Sequence, residues 1–162
     1  MLTDIVLLIS LLLFAQSLFS VYLMLYSWQH TDALESSKGP DKLLAPETSF
    51  TVLLPARNEE AVIYETIKKV CQTNYPSDLL EVVVICHQDD KGTIAEAQRA
   101  INEINSWRVR IATFADTPIN KPHGLNVGLR GTFNEVVTVF DAEDDIHADI
   151  FHVINTVMLQ ER

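Results

Sequence analysis

Apolar residues follow two different rhythms along this chain. From Ile5 to Trp28 they run almost unbroken, interrupted by Ser, Gln and Tyr and by no charge. A bilayer core takes about 20 apolar helical residues, so the run predicts a transmembrane helix within residues 1–28. A secretory signal would open on basic residues and carry a shorter apolar core. This N-terminus has Asp4 and no Lys or Arg, so the segment reads as a retained, single-pass anchor. Residues 29–49, with Ser36-Ser37, Gly39-Pro40 and Pro46 among mixed charges, read as a linker.

From Phe50 onward short apolar runs alternate with helical periods. Phe50–Leu54 predicts a strand stopped by Pro55. Glu59–Thr73 predicts a helix with Ile63, Ile67, Val70 and Cys71 on one face. Glu81–Cys86 is continuously apolar after its first residue, as in a strand buried on both faces. Thr93–Asn105 predicts a helix built on Ile94, Ala97, Ile101 and Ile104, and Val109–Phe114 a third strand. A short helix is expected near His123–Gly131, a fourth strand at Glu135–Phe140 and a last helix at Asp149–Gln160. Such alternation predicts an α/β domain: a mostly parallel sheet covered by helices.

Charge narrows the partners. The formal net charge is −10 over 162 residues, and Asp4 is the one charge before Trp28. Such an acidic surface without a Lys/Arg cluster excludes a nucleic-acid binder. Lys38 and Lys42 follow the apolar run and no basic residue precedes it, which places the rest of the chain in the cytoplasm by the positive-inside rule. Cys71 and Cys86 lack metal or redox spacing and read as buried thiols in a reducing compartment.

Ligands of open α/β sheets bind beyond the carboxyl ends of the strands. Behind the first strand stand Pro55-Ala56-Arg57-Asn58-Glu59-Glu60, behind the second His87-Gln88-Asp89-Asp90, and behind the fourth Asp141-Ala142-Glu143-Asp144-Asp145. Polar and acidic groups thus converge on one rim. The acidic run serves either to hold a hard divalent cation such as Mg²⁺ or Mn²⁺ with substrate phosphates, or as a solvated turn favouring the next helix N-terminus. No G-x-G-x-x-G follows the first strand and no P-loop occurs, so dinucleotide and P-loop readings lack their phosphate cradles.

Four segments in order resemble the membrane-bound family-2 glycosyltransferases of the GT-A fold, in the cellulose-synthase-like and β-glycan synthase branch. They are Val52-Leu53-Leu54-Pro55-Ala56-Arg57-Asn58-Glu59-Glu60, Thr73-Asn74-Tyr75-Pro76, Lys121-Pro122-His123-Gly124-Leu125-Asn126 and Val139-Phe140-Asp141-Ala142-Glu143-Asp144. The resemblance implies a partial GT-A domain over residues 50–162, the nucleotide-sugar-binding half. It also implies an inverting, metal-dependent transfer from a UDP-type donor to a glycan or lipid acceptor at the plasma or inner membrane.

Carried over to this sequence, the resemblance puts Pro55, Ala56 and Glu59 around uracil and ribose. Lys121 falls near the diphosphate with Asn126 on the same wall, Asp141 on the sugar nucleotide, and Glu143 with Asp141 on Mg²⁺ or Mn²⁺, assisted by Asp144. The family usually has an acid directly after strand two to bond the base. Here His87-Gln88 stand there and the acids follow, with Asp90 taken as the base-binding one. The plainer alternatives are a surface lysine at 121, a helix cap at Asn126 and an Arg57–Glu ion pair. The family's general base has no counterpart in this sequence. The chain alone is therefore expected to be incomplete and inactive, or a split fragment that binds nucleotide or a partner chain.

Overall fold

The computed structural model describes residues 1–29 and 39–161. They belong to two compact units that divide between Gly39 and Pro40. In the first, α1 (Leu2–Gln29) is one helix with none of its residues buried. At 1.5 Å per residue it is about 42 Å long. Its apolar side chains are exposed all round, and it is long and apolar enough to cross a membrane. Lys38, on which the expected orientation partly rests, lies outside the described residues.

The second unit is the expected α/β domain. Strands β1 (Phe50–Pro55), β2 (Leu80–His87), β3 (Val109–Phe114) and β4 (Val136–Val139) form one sheet, parallel throughout, in the order β3-β2-β1-β4. The helices are α2 (Ile63–Cys71), α3 (Lys91–Ile104), α4 (Lys121–Leu129) and α5 (Ile150–Gln160). Strand β2 is buried from Val82 to His87, as its unbroken apolar run requires.

Alternation along β1 and β2 splits their side chains between two faces. Phe50, Val52, Leu54, Val82, Val84 and Cys86 join Ile63, Ile67 and Val70 of α2, Ala97 and Ala100 of α3, and Phe151 of α5 in the main core. Leu53, Val83 and Ile85 face the other way and pack with Phe114 and Leu125. There α4 lies close to the sheet, because Gly128 has no side chain. A Cβ at that position would sit 2.3 Å from Ile85 Cδ1.

The expected bounds shift by one or two residues at the helix after β2, at the short helix and at β4, and two further expectations change. The ordered helix after β1 begins at Ile63 rather than Glu59, because residues 56–62 form a loop and turns. In α3 the fully covered positions are Thr93, Ala97 and Ala100, while Ile94, Ile101 and Ile104 flank them half-buried. Cys86 is buried and Cys71 half-buried, both free. Removal from water pushes their thiols up to about 12 and about 11.

The domain's contacts begin before β1. Asn155 of α5 is fully buried. Its Oδ1 accepts from the N–H groups of Glu47 (3.1 Å) and Thr48 (3.0 Å), and its Nδ2 donates to Ala45 O at 2.9 Å. Thr156 Oγ1 accepts from Leu44 N–H at 2.9 Å, and Tyr75 donates to Thr48 O at 2.7 Å. Residues 44–48 are thus fastened to the last helix.

Candidate functional site

Strand order fixes where a ligand can sit. The chain passes from β3 through α4 to the far side of β1, so connections diverge on either side of β1 and open a crevice beyond the strand ends. A cavity of about 300 Å³ occupies that place. Pro55, Ala56, Arg57 and Glu59 reach it from β1, Ile85 and His87 from β2, and Phe114 from β3. Ile119, Asn120, Lys121 and Gly124 come from the start of α4, and Asp141, Ala142 and Glu143 from beyond β4.

The loop after β1 is held in place by the start of α3. Asp90 caps that helix, its Oδ1 accepting from Thr93 N–H at 3.2 Å, while its Oδ2 accepts from Asn58 N–H at 2.6 Å. Thr93 Oγ1 accepts from Glu59 N–H at 2.9 Å. Two successive amides of the cavity wall are therefore fixed by one capping turn, with Asn58 in the left-handed region at φ 59°. Partial burial opposes the charge on Asp90. The donors Asn58 and Thr93 and the Arg57 guanidinium outweigh it and hold the carboxyl below its ordinary value.

The acidic run is sorted rather than crowded. Ala142 turns inward, 3% exposed, and its carbonyl accepts from Thr66 Oγ1 of α2. Asp144 Oδ2 accepts from Asp141 N–H at 2.7 Å and closes the turn. Asp145 reaches Lys69 of α2 at 2.9 Å, whose hydrogen bond holds its carboxyl below the ordinary range. That leaves Asp141 and Glu143 on the cavity, and Asp141 pairs with Lys121. Their carboxylates are the oxygen donors that a hard divalent cation takes. Among the described residues no group of three or more His, Cys, Asp or Glu side chains is placed to hold a metal, so ligand phosphates would have to complete the sphere.

Of the sequence-predicted residues, Pro55, Ala56, Glu59, Lys121, Asp141 and Glu143 meet at this cavity. Asp90 stands behind it, its two oxygens occupied by backbone amides. Asn126 is exposed within α4, away from the cavity lining. It does not cap that helix: Asn120 does, accepting from His123 N–H at 2.9 Å with Pro122 in the first turn. That Asn-Lys-Pro start is a readable helix signal. Arg57 donates to Ile119 O at 3.4 Å rather than to a glutamate. His87, Phe114, Ile119, Asn120 and Gly124 also line it, beside Arg57, Ile85 and Ala142. The strand-end rule pointed to His87, whereas Phe114 was not singled out, and Ile119, Asn120 and Gly124 are brought in by how closely α4 approaches the sheet.

Comparison with known proteins points one way. A family model described as "Glycosyltransferase like family 2" matches residues 46–162. A probable glycosyltransferase, YdaM, of Bacillus subtilis is 33% identical over 100 residues, 58% of this chain and 22% of that protein. A β-monoglucosyldiacylglycerol synthase of Nostoc sp. is 32% identical over 111 residues, 64% of this chain and 22% of that protein. The chain thus spans 22% of the length of these curated relatives. The mannosyltransferase PcManGT of Pyrobaculum calidifontis, solved with GDP-Man and Mn²⁺, superposes with a TM-score of 0.68 at 23% identity, over 83% of this chain and 39% of that one. TarS of S. aureus, solved with UDP-GlcNAc, gives 0.55 at 22% identity, over 63% and 28%. At these identities the structural likeness establishes a shared GT-A fold.

Proposed function

Since this chain belongs to glycosyltransferase family 2, we propose that its α/β domain is the donor-binding portion of an inverting, metal-dependent transferase. It takes a UDP-type nucleotide sugar and serves transfer to a glycan or lipid acceptor at the membrane. The observation that carries this reading is the cavity itself, where Lys121, Asp141 and Glu143 face the wall formed by Pro55, Ala56 and Glu59. In it the β1 wall holds base and ribose, and the Lys121 ammonium meets the diphosphate. Asp141 and Glu143 hold Mg²⁺ or Mn²⁺, which when bound offsets charge on the leaving diphosphate. Asp144, already closing the turn, orients Asp141.

Residues 1–28 are the anchor, 29–49 the connection and 50–162 the donor-binding half, with the domain on the cytoplasmic side of the plasma or inner membrane. Two observations support a lipid acceptor: a helix long and apolar enough to cross a bilayer, and relatives named as synthases of a glucosyl-diacylglycerol. Titration calorimetry of the chain in detergent with UDP and Mn²⁺ tests the reading. Asp141→Ala and Glu143→Ala are each expected to abolish the Mn²⁺-dependent binding, and heat unchanged by both substitutions would remove the site assignment.

A further inference from the structure

One anchored carbonyl separates the two acids that face the cavity. Ala142, between Asp141 and Glu143, belongs to the main core. Its carbonyl accepts from Thr66 Oγ1 of α2, a residue only 5% exposed. A threonine inside a helix can satisfy its hydroxyl on the carbonyl one turn back. For Thr66 that carbonyl is Val62 O, at 3.2 Å, and the hydroxyl reaches across to the acidic loop as well. Its own helix is a firm support, because Ile63, Ile67 and Val70 are buried in the same core.

The loop is tied on both sides of the acids. Phe140 N–H donates to Leu53 O at 3.2 Å before them, and Asp144 N–H to Asp141 O at 3.1 Å after them. A second tie from α2, Lys69 to Asp145, is half exposed at one end and almost fully exposed at the other, so it contributes little. Thr66 therefore supplies the buried bond by which α2 fixes the backbone between the two acids. Like charges two residues apart repel one another. In a loop free to move they would splay, and a cation would have to gather them at a cost in ordering. A carbonyl fixed between them removes much of that freedom before any ligand arrives.

Resting on the metal-dependent donor-binding reading above, we propose that Thr66 is a positioning residue for the metal: through the Ala142 carbonyl it presets Asp141 and Glu143 to take Mg²⁺ or Mn²⁺. Thr66 is not among the residues that line the cavity, so it acts without touching ion or donor. Its loss should therefore be felt in the affinity for the ion and not in the part of donor binding that needs no ion.

The test is calorimetry on the full chain in detergent, with Mn²⁺ titrated at fixed UDP, and UDP titrated without metal as the control. Thr66→Val keeps the shape and removes the hydroxyl, whereas Thr66→Ser keeps the hydroxyl. Ala142→Gly leaves both bonding partners but loosens the backbone between the acids. Groups that orient metal ligands typically hold about 10–100-fold in affinity. Thr66→Val is accordingly expected to raise the half-saturating Mn²⁺ concentration about tenfold, and Thr66→Ser to stay within about threefold of the wild type. Ala142→Gly is expected to shift it in the same direction as Thr66→Val, and it decides the matter if Thr66→Val does not fold. Metal-free UDP binding is expected to be unchanged in all three. An unchanged Mn²⁺ requirement in Thr66→Val, or in Ala142→Gly where that variant decides, overturns the positioning role. So does a loss in Thr66→Ser as large as in Thr66→Val, or metal-free UDP binding that falls together with the Mn²⁺ affinity. Each of these leaves the donor-binding reading standing. A wild-type chain whose UDP binding does not respond to Mn²⁺ overturns the metal-dependent reading itself, and this one with it.

Discussion

Asp90 accepts the backbone N–H of Asn58 at 2.6 Å and so ties the joint between β2 and α3 to the loop leaving β1. One carboxylate therefore caps a helix and positions a cavity wall. Asp90→Ala is expected to cost about 1–2 kcal/mol of stability, measured by urea unfolding, and to weaken UDP binding although Asp90 does not line the cavity. The pH dependence follows from the lowered carboxyl. Its contribution is complete above the ordinary value of 3.8 and is lost as pH falls through the lower folded value. The stability gap between wild type and variant should be constant from neutral pH down to about 4 and close below it.

The Lys121–Asp141 pair is half exposed on both sides, 49% and 50%. Exposed ion pairs contribute little, so Lys121→Met should change unfolding stability by less than about 1 kcal/mol. Its effect on ligands should be large by comparison and blind to the base. UDP and pyrophosphate should weaken together, with a flatter salt dependence than the wild type. Loss of UDP alone would move Lys121 away from the phosphates.

Asn155 satisfies three backbone groups of residues 45–48 while fully buried. Asn155→Ala strands all of them, and a loss of about 2–4 kcal/mol is expected in chemical denaturation. The amides of Glu47 and Thr48 should also lose protection in hydrogen exchange before those of β1 do.

Gly128→Ala tests the approach of α4 to the sheet. Helix propensity alone would favour the alanine by about 1 kcal/mol. Its Cβ would, however, fall within 2.7 Å of two Ile85 side-chain atoms, and overpacking costs about 1–3 kcal/mol. A lowered or unchanged melting temperature is expected, with partial recovery when Ile85→Val is added to remove the nearest atom. A clear rise would show that α4 sits further from β2.

Much of this was legible in the residue pattern because each strand and helix had its own period and its own stop. Val109–Phe114 is a strand with the bounds its apolar run marks, and β2 extends by one residue at each end. The rim also follows from strand order, since what stands behind each strand must converge in a parallel sheet. What the pattern hid were bonds between residues distant in sequence. Nothing local shows that Asp144 would spend its carboxylate on Asp141 N–H, or that Asp145 would turn to Lys69. Nor does it show that Asp90 would face away while His87 faced in. Those choices depend on which helix happens to lie beside each loop.

The Asn155 hydrogen bonds carry a mechanical consequence. Any pull transmitted along the backbone from the N-terminal helix meets Leu44–Thr48, and hence α5, before it meets Phe50. Several hydrogen bonds loaded side by side would take up that tension. Such tension would then be spent on α5, and the register of β1, to which the cavity wall is attached, would be spared.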